Sequence, residues 1–366
     1  MIFSVDRQLL CEAVSNLSRV VSNKTAVPVL EGILITAKEG FIELSSYNLE
    51  TGMNKFLAAN IKEEGSIVIS AKFFNSILHS MNGDEVEFKS DDRLMCHLSS
   101  GTAVFDMMGM AAVDFPELPS VAEGKIIKIK AGFLKEMVRQ TIFAVAANEG
   151  TRPILTGLCF QIENGFLKLI AIDGFRLAIR KEKVDLPEDL TFVASGRAVA
   201  DVVKMMGDDE EEITIHVGRR HVLFSFNGYT FISRLLDGEF IDYKKTIPPT
   251  HTQKLTVNTR DIIDIIDRIS LIISDNFTTP IRFIINENET VFSCATSVGR
   301  ATERAELTLE GPEFEIGLNS KYLLEALRAA DYERVVFKFN GGSAAVLIEP
   351  ENDDSFTYMI MPMRLK

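Results

Sequence analysis

Residues 255–270 read LTVNTRDIIDIIDRIS, and this stretch decides the fold class of the chain. Its first residues alternate apolar and polar side chains, as a β-strand with one buried face does. Asp261, Asp264 and Asp267 then recur every three residues between pairs of isoleucine, a helical period that strict strand alternation would not give. The stretch therefore predicts a strand followed by an amphipathic helix.

The same pattern occurs at two earlier places, FSVDRQLLCEAVSNL at 3–17 and IKIKAGFLKEMVRQTI at 127–142. A second strand-to-helix transition lies downstream of each copy, at Ser70, Ser195 and Asn319, which are 125 and 124 residues apart. A side-chain oxygen at such a position can cap the free amides of the helix that follows. The chain thus contains a repeat with two helices per copy.

Prolines and phenylalanines place the boundaries of the repeat. Pro28, Pro153 and Pro280 recur at intervals of 125 and 127, and Phe115 and Phe240 close the first two copies before proline-containing linkers. Copies of about 122 residues have the size of whole domains rather than solenoid repeats. We expect three domains, at 1–123, 124–251 and 252–366.

Short alternating segments fill the space between the helices, among them HVLFSFNG at 221–228 and ERVVFKFNGG at 333–342. They are separated by Gly, Asn and Asp turns, which is typical of antiparallel hairpins with one buried face. The predicted fold class is α+β, with three similar domains that each pack two helices on antiparallel sheets.

Charge is distributed unevenly along the chain. The net charge is −13, which disfavours a protein whose whole surface attracts nucleic acid. The six predicted helices together carry about +4, and acidic residues cluster in the turns. This partition suits a protein that holds DNA against its helices, although spare lysines on solvated helix faces would give the same count.

Motifs for common chemistry are missing from the sequence. It contains no phosphate-binding loop, dinucleotide-binding turn, zinc-protease motif or hydrolase elbow, and its five histidines have no metal-ligand spacing. Asp173 stands beside Gly174 and is predicted to be a turn residue rather than a catalytic carboxylate. Cys11, Cys96, Cys159 and Cys294 are isolated in apolar surroundings and are expected to be buried thiols. We expect no catalysis, no metal and no cofactor.

The N-terminal residues and the lengths of the apolar runs indicate the cellular compartment. The N-terminal residues MIFSVDRQLL lack the apolar core of a signal peptide, and no apolar run reaches the ~18 residues of a membrane span. We expect a cytoplasmic protein without a membrane partner.

Four stretches resemble the bacterial DNA polymerase III beta subunit, the sliding clamp family, along the full length of the chain. They are DFPELP (114–119), TRPILTGLCF (151–160), DGFRLA (173–178) and MPMRL (361–365), in family order and spacing. The resemblance implies a DNA clamp fold whose two copies join head to tail into a ring around duplex DNA. Such a ring tethers the replicative polymerase and other DNA-processing proteins, and it catalyses nothing.

The resemblance also implies site residues. Those facing DNA would be Lys24, Lys72, Arg197, Arg7, Arg139 and Lys204. For each of them, and most of all for the last three, the alternative is a solvent-exposed charge. Ring closure would bring Ile272 and Ile273 against Phe105 and Met107 of the second chain, with ordinary core packing as the alternative for Phe105.

A partner-peptide pocket carries over from the family as well. Its residues would be Arg152, Leu155, Gly174, Arg176, Leu177, Asn319, Tyr322, Met361, Pro362, Met363, Arg364 and Leu365. Leu155, Leu177, Met361 and Met363 would form the floor, Met361 partly in the core, and the arginines would donate hydrogen bonds at the rim. Ile172, Phe175 and Ile241 replace the Thr, His and Pro that are common in the family.

The resemblance thus names DNA, a second copy of the chain, the polymerase alpha subunit, the clamp loader and other proteins with a short clamp-binding peptide as partners. A structural repeat or interaction protein that does not bind DNA is the competing class.

Overall fold

The computed structural model describes residues 1–22, 25–147, 152–184, 189–273 and 279–365. The chain forms two compact units, one of residues 1–134 and 200–235 and the other of residues 135–199 and 236–366. Each β-sheet lies within a single unit.

The elements follow a similar order three times, with five described strands between the two helices of the first and last thirds and four in the middle third. The first third contains β1 (Ile2–Asp6), α1 (Arg7–Leu17), β2 (Gly32–Lys38), β3 (Phe41–Tyr47), β4 (Thr51–Ala58), β5 (Asn60–Glu63), β6 (Gly65–Ser70), α2 (Ala71–Ser80), β7 (Glu85–Ser90), β8 (Met95–Ser100) and β9 (Ala103–Met108). The middle third contains β10 (Lys125–Lys130), α3 (Ala131–Arg139), β11 (Gly157–Glu163), β12 (Phe166–Ile172), β13 (Arg176–Lys183), β14 (Leu190–Ser195), α4 (Gly196–Met205), β15 (Glu212–Val217), β16 (His221–Phe226) and β17 (Tyr229–Arg234). The last third contains β18 (Gln253–Asn258), α5 (Thr259–Ser270), β19 (Ile281–Ile285), β20 (Thr290–Ala295), β21 (Arg300–Ala305), β22 (Leu309–Glu310), β23 (Phe314–Leu318), α6 (Ser320–Ala330), β24 (Arg334–Phe339), β25 (Val346–Pro350) and β26 (Phe356–Ile360). Short 3-10 helices span Pro28–Glu31, Ala112–Asp114, Ile142–Ala144, Pro153–Thr156 and Tyr243–Lys245.

Helix α5 has the form that its isoleucine pattern predicts. Ile262, Ile265, Ile266 and Ile269 are buried along one face, and Asp261 remains exposed on the other. The α+β prediction with two helices per repeat is confirmed in the described part of the chain.

Two antiparallel sheets form the first unit. Their strand orders are β5-β1-β7-β8-β9 and β10-β15-β16-β17-β4-β3-β2-β6. In the larger sheet, β4 from the first third pairs with β17 from the middle third, and Gly52 lies opposite Ile232. One continuous sheet therefore joins the first two repeats.

The second unit has the corresponding arrangement. Its sheets run β14-β11-β12-β13-β26-β25-β24-β18-β22 and β21-β20-β19-β23. Here β13 from the middle third pairs with β26 at the end of the chain, and Leu177 lies opposite Met359. The strands at the corresponding positions of the first and last thirds, β9 and β21, each lie at a sheet edge.

Two expectations from the repeat need correction. The side chain of Ser70 makes no capping hydrogen bond to α2, whereas the Asn319 side-chain oxygen accepts one from the Tyr322 amide at 3.2 Å. Pro280 directly precedes β19, although Pro28 and Pro153 begin 3-10 helices, so the proline spacing does not mark one structural position.

Three of the four thiols are buried as expected, and Cys11 is only half-buried. Burial raises the pKa of the Cys159 thiol to about 12 and that of Cys96 to about 11. Within the described ranges, no helix is long and apolar enough to cross a membrane. The same residues contain no group of three His, Cys, Asp or Glu side chains that could hold a metal ion.

Candidate functional sites

An apolar cluster in the second unit contains part of the predicted pocket floor. Leu155 and Leu177 are both buried in it, together with Ile172, and Ile241 packs against it while half-buried. Of the family departures, Ile172 therefore lies within the predicted floor, and Ile241 lies beside it. An isoleucine in place of a threonine there adds apolar surface and removes a hydroxyl group.

The turn between β12 and β13 lies at one side of the predicted pocket. The Asp173 carboxylate accepts hydrogen bonds from the Phe175 amide at 2.9 Å and the Arg176 amide at 3.0 Å, as a turn residue does. Gly174 has φ +93°, a conformation that favours glycine, and a Cβ added there would meet no atom within 4 Å. Backbone is thus open to a ligand at this turn.

Arg176 differs from its expected role at the rim. Its side chain is only 8% exposed, its Nε donates to Asp173 at 3.0 Å, and its Nη1 forms an ion pair with Glu325 of α6. The guanidinium also lies 4.3 Å from the ring centre of Tyr322, within cation–π range. Arg176 therefore links the turn to α6 through its Nε and Nη1 donors.

Aromatic rings flank this link. Phe175 is 62% exposed, and its ring is stacked 6.5 Å from that of half-buried Tyr322. Burial raises the pKa of the Tyr322 hydroxyl, so this group stays neutral at physiological pH. An exposed ring where the family usually has histidine would give the predicted pocket an apolar edge.

The C-terminal segment passes along the same region. The Met361 amide donates to the Phe175 carbonyl at 2.8 Å, and the Met363 amide donates to the Gly317 carbonyl at 2.8 Å. A Cβ on Gly317 would come within 2.7 Å of the Met363 carbonyl oxygen, so glycine permits this close approach. Pro362, Met363 and Leu365 are half-buried, whereas Arg364 is exposed.

Met361 is 42% exposed, and Met359 is the methionine that fills the core. The expectation that Met361 belongs partly to the core is therefore wrong. Arg152 is exposed and precedes the 3-10 helix that carries Leu155. Met361 and Arg152 are thus available to a ligand.

Residues outside the predicted set also shape the region. Glu325 fixes Arg176, the Phe143 ring lies 5.4 Å from the same guanidinium, and Tyr243 is part of the floor. Glu325 lies one helical turn after Tyr322, and this spacing was the available sequence signal for it.

Three predicted DNA-facing side chains are free in the described chain. Lys72 on α2 and Arg197 and Lys204 on α4 are exposed and form no ion pair with another described residue. Lys24 lies outside the described residues.

The other two candidates already have partners. The Arg7 Nε donates to the Gly83 carbonyl at 2.5 Å, and the Arg139 guanidinium pairs with Asp331 at 2.9 Å. Because the Arg139 pair is exposed, it is weak and can exchange for a phosphate. The half-buried Arg7 is the less accessible of the two.

The residues predicted to close the ring are half-buried in the single chain, two of them in each unit. Phe105 and Met107 are half-buried on the edge strand β9. Ile272 and Ile273 are half-buried just beyond α5, where the Thr296 hydroxyl donates to the Ile272 carbonyl at 3.0 Å. Phe105 is thus not an ordinary core residue in the single chain.

Comparison with known proteins gives one consistent family. The models described as the N-terminal, central and C-terminal domains of the DNA polymerase III beta subunit match residues 1–119, 128–242 and 244–364. The beta sliding clamp of Bacillus subtilis is 31% identical over 377 residues, which cover 100% of both chains. The solved structure of the Bacillus subtilis DNA polymerase sliding clamp has a TM-score of 0.96 at 30% identity, covering 100% of both chains. A putative DNA polymerase III beta subunit from Eubacterium rectale also has a TM-score of 0.96, at 28% identity and 99% coverage of both chains.

Proposed function

Because the chain belongs to the DNA polymerase III beta subunit family, we propose that it is a sliding clamp. Two copies form a ring that encircles duplex DNA and tethers the replicative polymerase and other DNA-processing proteins. The chain has domains at 1–123, 124–251 and 252–366, acts in the cytoplasm where bacterial DNA lies, and catalyses no reaction.

One observation carries the ring. A sheet continues from repeat to repeat through the pairs β4–β17 and β13–β26, and the corresponding strands β9 and β21 remain at edges. Exposed edges are liable to pair with other chains, and head-to-tail association of two copies would cover both. Phe105, Met107, Ile272 and Ile273 would then add apolar contact beside the paired edges.

DNA is held in this proposal mainly by enclosure. A chain of net charge −13 attracts phosphate weakly overall, so isolated cations such as Lys72, Arg197 and Lys204 supply contacts that do not depend on sequence. Lys24, Arg139 and Arg7 are further candidates. Weak contacts of this kind leave a ring free to slide.

The pocket of the second unit would bind a short extended peptide. Leu155 and Leu177 provide apolar floor, Met361 and Met363 provide adaptable walls, and Gly174 leaves room for the backbone of a ligand. Two or three buried side chains at roughly 1.5 to 3 kcal/mol each give about 3 to 9 kcal/mol before the ordering costs, so we expect a free peptide to bind no more tightly than about micromolar. Several partners could share such a site.

Retention on circular DNA tests the function. The protein is loaded onto nicked circular DNA with a clamp loader and ATP, the salt is raised, and half of the sample is linearised with a restriction enzyme. A clamp stays on the circle and leaves the linear molecules. Equal retention on both forms, or none on the circle, favours the competing repeat or interaction protein.

A further inference from the structure

The two junctions at which a sheet continues from one repeat to the next pair equivalent strands in the same register. Two strands of each repeat are of the kind that pairs at a junction. One is the third strand after the first helix (β4, β13 or β21), and the other is the last strand of the repeat (β9, β17 or β26). The pairs β4–β17 and β13–β26 are both antiparallel. Among these six strands of the described chain, β21 and β9 are the two left over.

Equivalent residues can be found by counting along the hydrogen-bonded rows of each sheet. The first set of rows begins at the residue before the second helix of each repeat, which is Ser70, Ser195 or Asn319. Following the observed strand registers across the sheet from these residues leads to Gly52, Leu177 and Arg300, respectively. The second set of rows begins four residues before the end of the first strand of each repeat (β1, β10 or β18), at Ile2, Ile126 or Lys254. Following the registers from these residues leads to Asp106, Ile232 and Met359, respectively.

The known junctions show how these positions meet. Gly52 lies opposite Ile232 in the first, and Leu177 lies opposite Met359 in the second. The same register applied to the two free edges puts Asp106 opposite Arg300. These strands must belong to different copies if the ring proposal, on which this inference rests, is correct.

The opposite charges of Asp106 and Arg300 fit this register. Asp106 and Arg300 are exposed on the single chain, and Arg300 forms no ion pair with any described residue. The Asp106 carboxylate accepts a hydrogen bond from His97 at 2.5 Å, which leaves its second oxygen available. Directly opposed opposite charges stabilise a sheet, and like charges destabilise it.

The neighbouring row fits as well. It puts Phe105 opposite Ala301, and the second junction has Tyr358 opposite Ala178 in that row. A large ring faces a methyl group in both cases. A register shifted by one residue would instead move Phe105 to the other face relative to its partner.

We propose that Asp106 of one chain lies directly opposite Arg300 of a second copy, and that this ion pair sets the register of ring closure. The corresponding pairs inside the chain, Ile232–Gly52 and Met359–Leu177, have no charge. Charges at the free edges keep each edge soluble while it is open, and they discriminate against pairing of an edge with itself. The pair therefore makes closure selective for a complementary edge.

A charge-swap cycle tests the pair. Dimer dissociation constants are measured by analytical ultracentrifugation or mass photometry for wild type, Asp106→Arg, Arg300→Asp and the double variant. We expect each single variant to weaken the dimer at least tenfold, because like charges then face each other at both interfaces of the ring. The double variant should return to within about threefold of wild type.

Arg304→Asp provides the matched control, because Arg304 is on the same strand and face but four residues away from Arg300. Combined with Asp106→Arg, it should give no rescue. Rescue by Arg304→Asp, or additive losses in the Asp106–Arg300 cycle, would overturn the register. A wild-type chain that stays monomeric would instead refute the ring, so the two failures are distinguishable.

Discussion

Replacement of Arg176 by alanine should destabilise the second unit as well as weaken peptide binding. The side chain is 8% exposed, and its two carboxylate partners, Asp173 and Glu325, are 13% and 33% exposed. Removal of one member of a buried ion pair typically costs about 3 to 5 kcal/mol, because the remaining charge loses its partner. Glu325 is partly solvated, which screens its charge and reduces the expected loss to about 2 to 4 kcal/mol.

Differential scanning fluorimetry would measure this loss. For a unit of this size, each kcal/mol lowers Tm by roughly 2 to 4 °C, so Arg176→Ala should melt about 4 to 16 °C below wild type. Arg176→Lys keeps the charge but cannot bridge both carboxylates with a fork of donors, so its Tm should lie between the two. Arg152→Ala, a nearby exposed arginine, should leave the Tm unchanged.

A double-mutant cycle with Glu325→Ala identifies the contact responsible. If the Arg176–Glu325 link carries the effect, the double variant should lose less stability than the two single losses added together. A Tm within 1 °C of wild type for Arg176→Ala, combined with lost peptide binding, would refute this reasoning. Arg176 would then be a direct peptide ligand, as the sequence alone suggested.

Four other predictions concern the rest of the molecule. The double variant Met363→Ala with Leu177→Ala should lower affinity for a polymerase-derived peptide at least tenfold in a titration while remaining dimeric; unchanged affinity would mean that the pocket lies elsewhere. Replacement of Ile272 and Ile273 by alanine should remove about 2 to 4 kcal/mol of apolar contact per interface and yield monomers at micromolar concentration in sedimentation, whereas an intact dimer would exclude both residues from the interface. Binding to a short linear duplex should be weak and should fall as salt rises, because each neutralised phosphate releases a counterion; tight, salt-resistant binding would contradict enclosure. Cys159, whose pKa is raised to about 12 by burial, should stay protonated and unreactive towards a thiol reagent at pH 8 until the protein unfolds, as mass spectrometry of its peptide would show.

The sequence by itself determined the local elements and their threefold order. The isoleucine pattern of α5 was sufficient to predict a helix, since a helix that buries one face needs apolar residues at a period near 3.6. Hairpins such as β16–β17 followed from alternation and a turn at Asn227 and Gly228, because the side-chain period and turn chemistry are also local. The domain boundaries inferred from the same repeat stay a prediction.

Only the tertiary structure decided which strands pair across repeats and which charges are already neutralised. Asp6 and Arg7 are adjacent in sequence, yet Asp6 caps α1 while Arg7 reaches the Gly83 carbonyl, 76 residues away. Arg176 resembled a free rim donor until folding brought Glu325 to it from 149 residues away. The Asp106–Arg300 register likewise required the two observed junctions, because a strand's own side-chain pattern specifies its buried face but leaves its partner strand open. Contacts between distant segments depend on how sheets assemble, and that assembly is a property of the whole chain.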